Sequence, residues 1–262
     1  MRWTSHLVAL LLVCLSFLSC PQAVTAQLTL YDDFNDPSNL VRADKWRAFV
    51  GFSFDRLALD SLHLIDNLLF ATPNPKLLIV ERIHIPVGTF GFSFFGYAGF
   101  GGASAVQAGV TLAACTPAPG IETSVRIQMT GFHDSTPADG SLGDIFGGVG
   151  VRCPPTGGAA ELFWLVVRCG TSFCGSNTVL GTGVLGPGTL GQEHIVRIEK
   201  LGNHFRFTAD TFPPQDVAPP GATATPPNVP FFDVISEVRA ETAQAGGDLV
   251  VIGRFDDFMI AP

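Results

Sequence analysis

Apolar and polar residues alternate with a period of two through much of this chain, most clearly from Ile121 to Thr130. There Val125, Ile127 and Met129 alternate with Ser124, Arg126, Gln128 and Thr130. Side chains two apart share a strand face, so the text predicts a strand with one buried and one polar side. Phe146–Arg152 and Glu161–Arg168 continue the pattern; in the latter Phe163, Leu165 and Val167 form the expected apolar face, and Trp164 and Arg168 the other. Gln192–Lys200 and His204–Thr208 predict a hairpin around Gly202-Asn203, which sets Glu199 opposite Arg206 and Ile198 opposite Phe207. Together these segments predict a meander of about five strands.

The two ends of the chain carry similar text. Tyr31-Asp32-Asp33-Phe34 lies in the first predicted strand, Leu28 to Phe34, and Phe255-Asp256-Asp257-Phe258 in the last, Leu249 to Ile260. Pairing these two strands would close a sheet that otherwise ends in an open edge. Between Arg56 and Ile85, short apolar runs broken by Asp60, Asn67 and Pro73-Asn74-Pro75 read as strands and hairpins, because no helical period survives the prolines. Gly88 to Gly102 places Phe90, Phe92 and Phe94 on one strand face and Ser93, Phe95 and Tyr97 on the other. That is either an aromatic platform for a ligand or a strand buried on both faces. Phe212 to Pro230 holds seven prolines, which predicts a surface crossover, and Phe231–Glu241 returns as a strand.

Composition fits this picture. Of 262 residues 47 % are hydrophobic and 15 % charged, with 29 Gly, 19 Pro and 22 Phe, which suits short strands, many turns and a large core. The net charge of −8, without a basic cluster, argues against nucleic acid and anionic membranes as partners. Residues 1–26 read as a signal peptide: Arg2, then the apolar run Leu7 to Leu18, then Val24-Thr25-Ala26 before a cut at Gln27. A lipid-attachment site at Cys20 is the rival reading. No later stretch is apolar for long enough to span a bilayer as a helix, so residues 27–262 are expected to be a single exported domain, secreted or periplasmic.

Four cysteines remain after that cut, Cys115, Cys153, Cys169 and Cys174, and in an oxidising compartment an even count reads as disulfides. Zinc is the alternative, but the Cys169/Cys174 spacing has no second pair to match it. If 121–130 and 146–152 are antiparallel neighbours, Cys115 and Cys153 meet at one end of the fold. Cys169, at the other end, then takes Cys174.

The opening Tyr31-Asp32-Asp33-Phe34 with Lys45-Trp46, the amphipathic segments from 121 to 208 and the closing Phe255-Asp256-Asp257-Phe258 resemble the concanavalin A-like lectin/glucanase superfamily. The resemblance implies an all-β, two-sheet antiparallel jelly-roll sandwich whose concave sheet binds or cleaves glycans in many members. It also implies a structural calcium, for which Asp33, Asp256 and Asp257 are candidate ligands; turn-capping carboxylates are the alternative. No other cofactor is implied. Asp134, Asp139 and Asp144 lack the text of a calcium loop and read as solvated turn acids.

Fold alone does not deliver function. Laminarinase-type glycanases carry E-x-D-x-x-E on one strand, and none of the seven Glu here begins that pattern. Glu122 and Glu161 are the nearest carboxylate candidates. There is no G-x-S-x-G and no H-E-x-x-H, so catalysis is not expected. The expected ligand face carries Arg126, Gln128, Trp164, Arg168, Arg197, Glu199 and Arg206, an indole for stacking among groups that hydrogen-bond hydroxyls. A plain solvated sheet face would read the same way. The leading expectation is an exported, non-catalytic binder of carbohydrate or another extracellular ligand. An adhesive envelope protein without a small-molecule site comes second, and a divergent glycan hydrolase third.

Overall fold

A computed structural model describes residues 27–34, 42–54, 61–67, 76–85, 91–115, 119–240 and 247–262. The expected signal peptide, Cys20, Asp60, Pro73-Asn74-Pro75 and Phe90 lie outside them. The described residues form fifteen strands: β1 (Thr29–Asp32), β2 (Arg47–Phe54), β3 (Ser61–Asn67), β4 (Leu77–Ile85), β5 (Gly91–Phe100), β6 (Ala105–Cys115), β7 (Ile121–His133), β8 (Asp144–Cys153), β9 (Glu161–Cys169), β10 (Asn177–Pro187), β11 (Glu193–Leu201), β12 (His204–Ala209), β13 (Gln215–Val217), β14 (Phe231–Ala240) and β15 (Gly247–Ala261). No helix is present among them.

The strands build two antiparallel sheets. One has the order β13-β12-β11-β6-β15-β4-β3 with β1 added on β15; the other runs β10-β9-β8-β7-β14-β5-β2. Their facing sides share one core, in which Val106, Val110, Leu112 and Phe255 of the first sheet meet Val125, Ile127, Val149 and Val234 of the second. This is the expected all-β sandwich.

The two end strands pair as expected, Thr29 with Ile260 and Asp32 with Phe258, but the pair does not close the sheet, because β15 lies inside it between β6 and β4. In a regular strand Phe255 and Phe258 would point to opposite faces. The β15–β6 register shifts between Asp256 and Met259, and Asp257 adopts φ 44°. This bulge turns both phenylalanines into the core, where both are fully buried. Tyr31, Trp46 and Phe232 close around Phe258, with the Trp46 ring 5.1 Å from that of Phe258. Asp32 locks the cluster by accepting the Trp46 indole N–H at 2.8 Å and the Phe34 amide at 2.9 Å.

The expected meander is split. β7, β8, β9 and the unforeseen β10 run consecutively in one sheet, but β11 and β12 belong to the other, where β11 pairs with the equally unforeseen β6. The hairpin register itself is as read, with Ile198 opposite Phe207 and Glu199 opposite Arg206. Both disulfides form as expected. Cys115–Cys153 ties the end of β6 to the end of β8 and so joins the two sheets, while Cys169–Cys174 closes a short loop after β9.

Candidate functional site

The seven-stranded sheet turns one face to the shared core and the other to a cleft of about 700 Å³. Every strand of that sheet lines it, from Phe49 on β2 to Val179 on β10, so the sheet curves around the cleft and this face is concave. On β14 the alternation is complete: Phe232, Val234 and Val238 enter the core, while Phe231, Asp233, Ile235, Glu237 and Arg239 line the cleft. On β5, Phe95 and Tyr97 enter the core, and Phe94, Ala98 and Phe100 line the cleft. One face of the aromatic stretch is therefore core and the other is cleft wall.

Arg126 and Gln128 of β7 occupy the cleft floor as expected. Their β8 neighbours on that face are Gly150 and Gly148. A Cβ on Gly150 would stand 2.6 Å from the Arg126 Cα, so only glycine allows this approach. Arg126 Nε donates to Gln128 Oε1 at 2.7 Å, Arg126 Nη1 to Ser124 Oγ at 2.8 Å, and Arg126 Nη2 pairs with Glu237. Gln128 Nε2 donates to Asp233 Oδ2 at 3.1 Å. The result is a continuous row, Glu237–Arg126–Gln128–Asp233, across β7 and β14, with all four side chains buried. Among the described residues Asp233 Oδ1 has no partner. Burial pushes the Asp233 carboxyl up to about 7, against the opposing effect of Gln128 and Arg126.

Glu122 and Glu161, the nearest carboxylate pair in the sequence, both bind Arg152. Arg152 Nη1 lies 2.9 Å from Glu122 and Nε 2.7 Å from Glu161. Desolvation raises Glu122 while Arg152 opposes it. A guanidinium between the two acids makes them a salt-bridged triad, not an acid and a base aimed at one ligand.

Five expected ligand residues stand elsewhere. Trp164 faces the sandwich interior: its ring stacks on Phe207 of the other sheet at 5.5 Å, and its indole lies against Gly181 and Gly183 of β10. Its strand neighbours Phe163, Leu165 and Val167 line the cleft instead. The face assignment of β9 is thus the reverse of the expected one, because both faces of this strand are apolar and alternation could not separate them. Arg168 shares the Trp164 face at the end of the strand and meets Asp134 at 3.5 Å. Arg197, Glu199 and Arg206 belong to the other sheet, with Arg197 paired to Glu199 at 3.1 Å and Arg206 to Asp216 at 2.7 Å. None of these five lines the cleft.

At the terminal motif Asp256 pairs with Lys76 at 2.9 Å and accepts the Asp257 amide at 3.0 Å. Desolvation, then the charges of Asp256 and Asp33, raise Asp257. Among the described residues no three His, Cys, Asp or Glu are grouped to hold a metal ion. Asp144, read as a solvated turn acid, is fully buried and accepts the amides of Asn228 at 2.7 Å and Val229 at 2.9 Å, clamping the proline-rich crossover beside the cleft.

Asp233, Glu237 and Arg152 were not singled out from the sequence. The period-two text of Phe231, Asp233, Ile235, Glu237 and Arg239 against Phe232, Val234 and Val238 was the signal that could have found them.

No family model matches the chain, and no curated protein sequence matches it. Solved structures do. A laminarinase from Flavobacterium sp. UMI-01 superposes with a TM-score of 0.54 at 13 % identity, over 90 % of this chain and 100 % of that one. A Bacillus licheniformis β-glucanase (TM-score 0.46, 9 % identity, 91 % and 98 % covered) and a Bacillus subtilis protein with a galectin-like fold (0.45, 11 %, 90 % and 97 %) are also similar. At such identities the likeness is one of fold. The chain has the concanavalin A-like jelly-roll fold.

Proposed function

We propose that this protein binds carbohydrate in the cleft of its seven-stranded sheet and does not cleave it. The observation that carries the reading is the buried polar row Glu237–Arg126–Gln128–Asp233, set between aromatic side chains in a concave face. Phenylalanine rings offer flat apolar surfaces to a sugar ring, and a few fixed donors and acceptors orient its hydroxyls. The fold likeness to a laminarinase supports a glycan over other ligands. Each guanidinium of the floor has an acidic partner, Arg126 with Glu237, Arg152 with Glu122 and Glu161, and Arg239 with Glu237. An uncharged glycan leaves these pairs intact.

Against catalysis, the strand that carries Asp233 and Glu237 lacks the E-x-D-x-x-E text, and their carboxylates are held by different partners, Glu237 by Arg126 and Asp233 by Gln128. The two disulfides support an oxidising, extracytoplasmic location.

Glycan-array binding followed by calorimetry tests the reading. Wild-type protein is expected to bind at least one neutral glycan saturably, Gln128→Ala to bind it at least tenfold more weakly, and no reducing ends to be released. An array without signal, or undiminished binding by both Gln128→Ala and Arg126→Ala, overturns it; released reducing ends establish a hydrolase instead.

A further inference from the structure

The cleft is chemically two-sided. Beside its polar row, Phe146, Val167 and Cys169 form a buried apolar cluster distinct from the sandwich core, ringed by half-buried Leu165, Cys174 and Phe231. A solvent-facing sheet side ordinarily carries polar residues, yet β9 gives this one Phe163, Leu165 and Val167. Next to them on the cleft wall, Val179 is 44 % exposed and Phe173 93 % exposed. Phe173 is held there by a built loop: the Cys169–Cys174 disulfide closes it, Gly170 donates to the Ser176 carbonyl at 2.8 Å, and Ser141 donates to the Ser172 carbonyl at 2.7 Å. The polar and apolar ends are neighbours in register. Gln128 pairs with Gly148, and Gly148 with Leu165, so only a glycine separates the amide from the aliphatic wall.

We infer that the cleft takes an amphipathic glycan, with its neutral sugar over Gln128 and Asp233 and an apolar substituent, an acyl or alkyl chain, on Leu165, Val167, Val179 and Phe173. This rests on the reading of the cleft as a carbohydrate site and names the class of sugar it accepts. A fully polar oligosaccharide would leave that apolar wall wet. A simple hydrocarbon would cover the polar row Glu237–Arg126–Gln128–Asp233 without offering it a hydrogen bond, a loss that sugar hydroxyls avoid. A charged ligand would have to compete with the existing ion pairs of Arg126 and Arg152.

The probes are n-octyl β-D-glucoside below its micellar concentration, methyl β-D-glucoside and 1-octanol, titrated by NMR against wild type and the exposed-site variants Phe173→Ser and Val179→Asp. The octyl glucoside is expected to bind at least tenfold more tightly than the methyl glucoside, since burying two more methylenes suffices for about that factor. Both variants should lose at least fivefold for the octyl compound and nothing for the methyl one. Equal affinity for the two glucosides overturns the inference and leaves the glycan site standing. Octanol binding as tightly as octyl glucoside overturns it too, because the sugar is then not read. Absence of octyl glucoside binding likewise refutes it, with the glycan array deciding separately on the carbohydrate reading.

Discussion

Replacing Asp233 by Asn should stabilise the protein increasingly as pH rises from about 4 to about 7, and fully above that. The Asp233 carboxyl is pushed from its ordinary 3.8 to about 7 by burial. The folded state therefore binds more protons than the unfolded chain between these two values, and stability falls as pH rises through the interval. A shift of that size corresponds to about 4 kcal/mol at about 1.4 kcal/mol per unit. Below pH 4 both states are protonated and the full stability is present; above pH 7 the ionised carboxylate has lost it. Asn keeps the shape and an oxygen acceptor for Gln128 Nε2 but never ionises. Urea unfolding of wild type and variant at pH 4, 5.5, 7 and 8.5 isolates the effect as a difference of differences, provided the m-values agree. The variant should gain on the wild type progressively, up to about 4 kcal/mol. A pH-independent difference would refute the reasoning, as would a 13C carboxyl titration of Asp233 with its midpoint near 4.

Glu81 should behave similarly from a different place. It is fully buried, hydrogen-bonded to Ser93 and pushed up to about 7 by desolvation, so Glu81→Gln should remove about 3 kcal/mol of the stability lost between pH 4.5 and 7. Unlike Asp233→Asn it should leave ligand binding untouched, and calorimetry decides this. Trp164→Ala should cost about 3 kcal/mol in urea unfolding by emptying the stack on Phe207, with glycan affinity unchanged; a selective loss of binding would put the indole back in the site. Removing Cys115–Cys153, with a sequence separation of 38, should cost about 4 kcal/mol, against about 2 for Cys169–Cys174 with a separation of 5. Paired Cys→Ser variants compared by thermal unfolding test this order.

Much of the fold was legible because period-two alternation reports which side of a strand is buried. It succeeded on β7, where Arg126 and Gln128 oppose Val125 and Ile127, and on the β11–β12 hairpin, where Gly202-Asn203 sets the register. It was silent on β6, whose Ala105–Cys115 text is apolar or small on both faces, and on β10, a glycine-rich edge strand. It misled on β9, because Phe163, Leu165 and Val167 look more like core than Leu162, Trp164 and Val166 do. Sheet membership was illegible: a strand's own alternation does not name its partner, so Arg197, Glu199 and Arg206 were assigned to a face that belongs to the other sheet. The polar row depends on β14 lying beside β7, a contact between residues over a hundred positions apart that no local pattern encodes.

The cleft floor also differs from a merely solvated sheet face in what stability alone would select. Exposed strand residues satisfy their polar groups with water, and isolated surface ion pairs contribute little. Here Arg126, Gln128, Asp233 and Glu237 are buried together, and burying such groups costs free energy that their mutual bonds only partly return. The row is nonetheless joined by its own hydrogen bonds and ion pair, and its remaining unmet bond, at the buried Asp233 Oδ1, belongs to a residue on the cleft side of β14. Glu81 shows that a raised carboxyl is not itself a site. It is as buried and is also pushed up to about 7, but it points from β4 to Ser93 of β5 inside the sandwich, where no ligand reaches it. Asp233 combines the same electrostatics with an opening to a cleft about 700 Å³ in volume. That combination, not the shift, is what supports the proposal that Asp233 takes part in a ligand site.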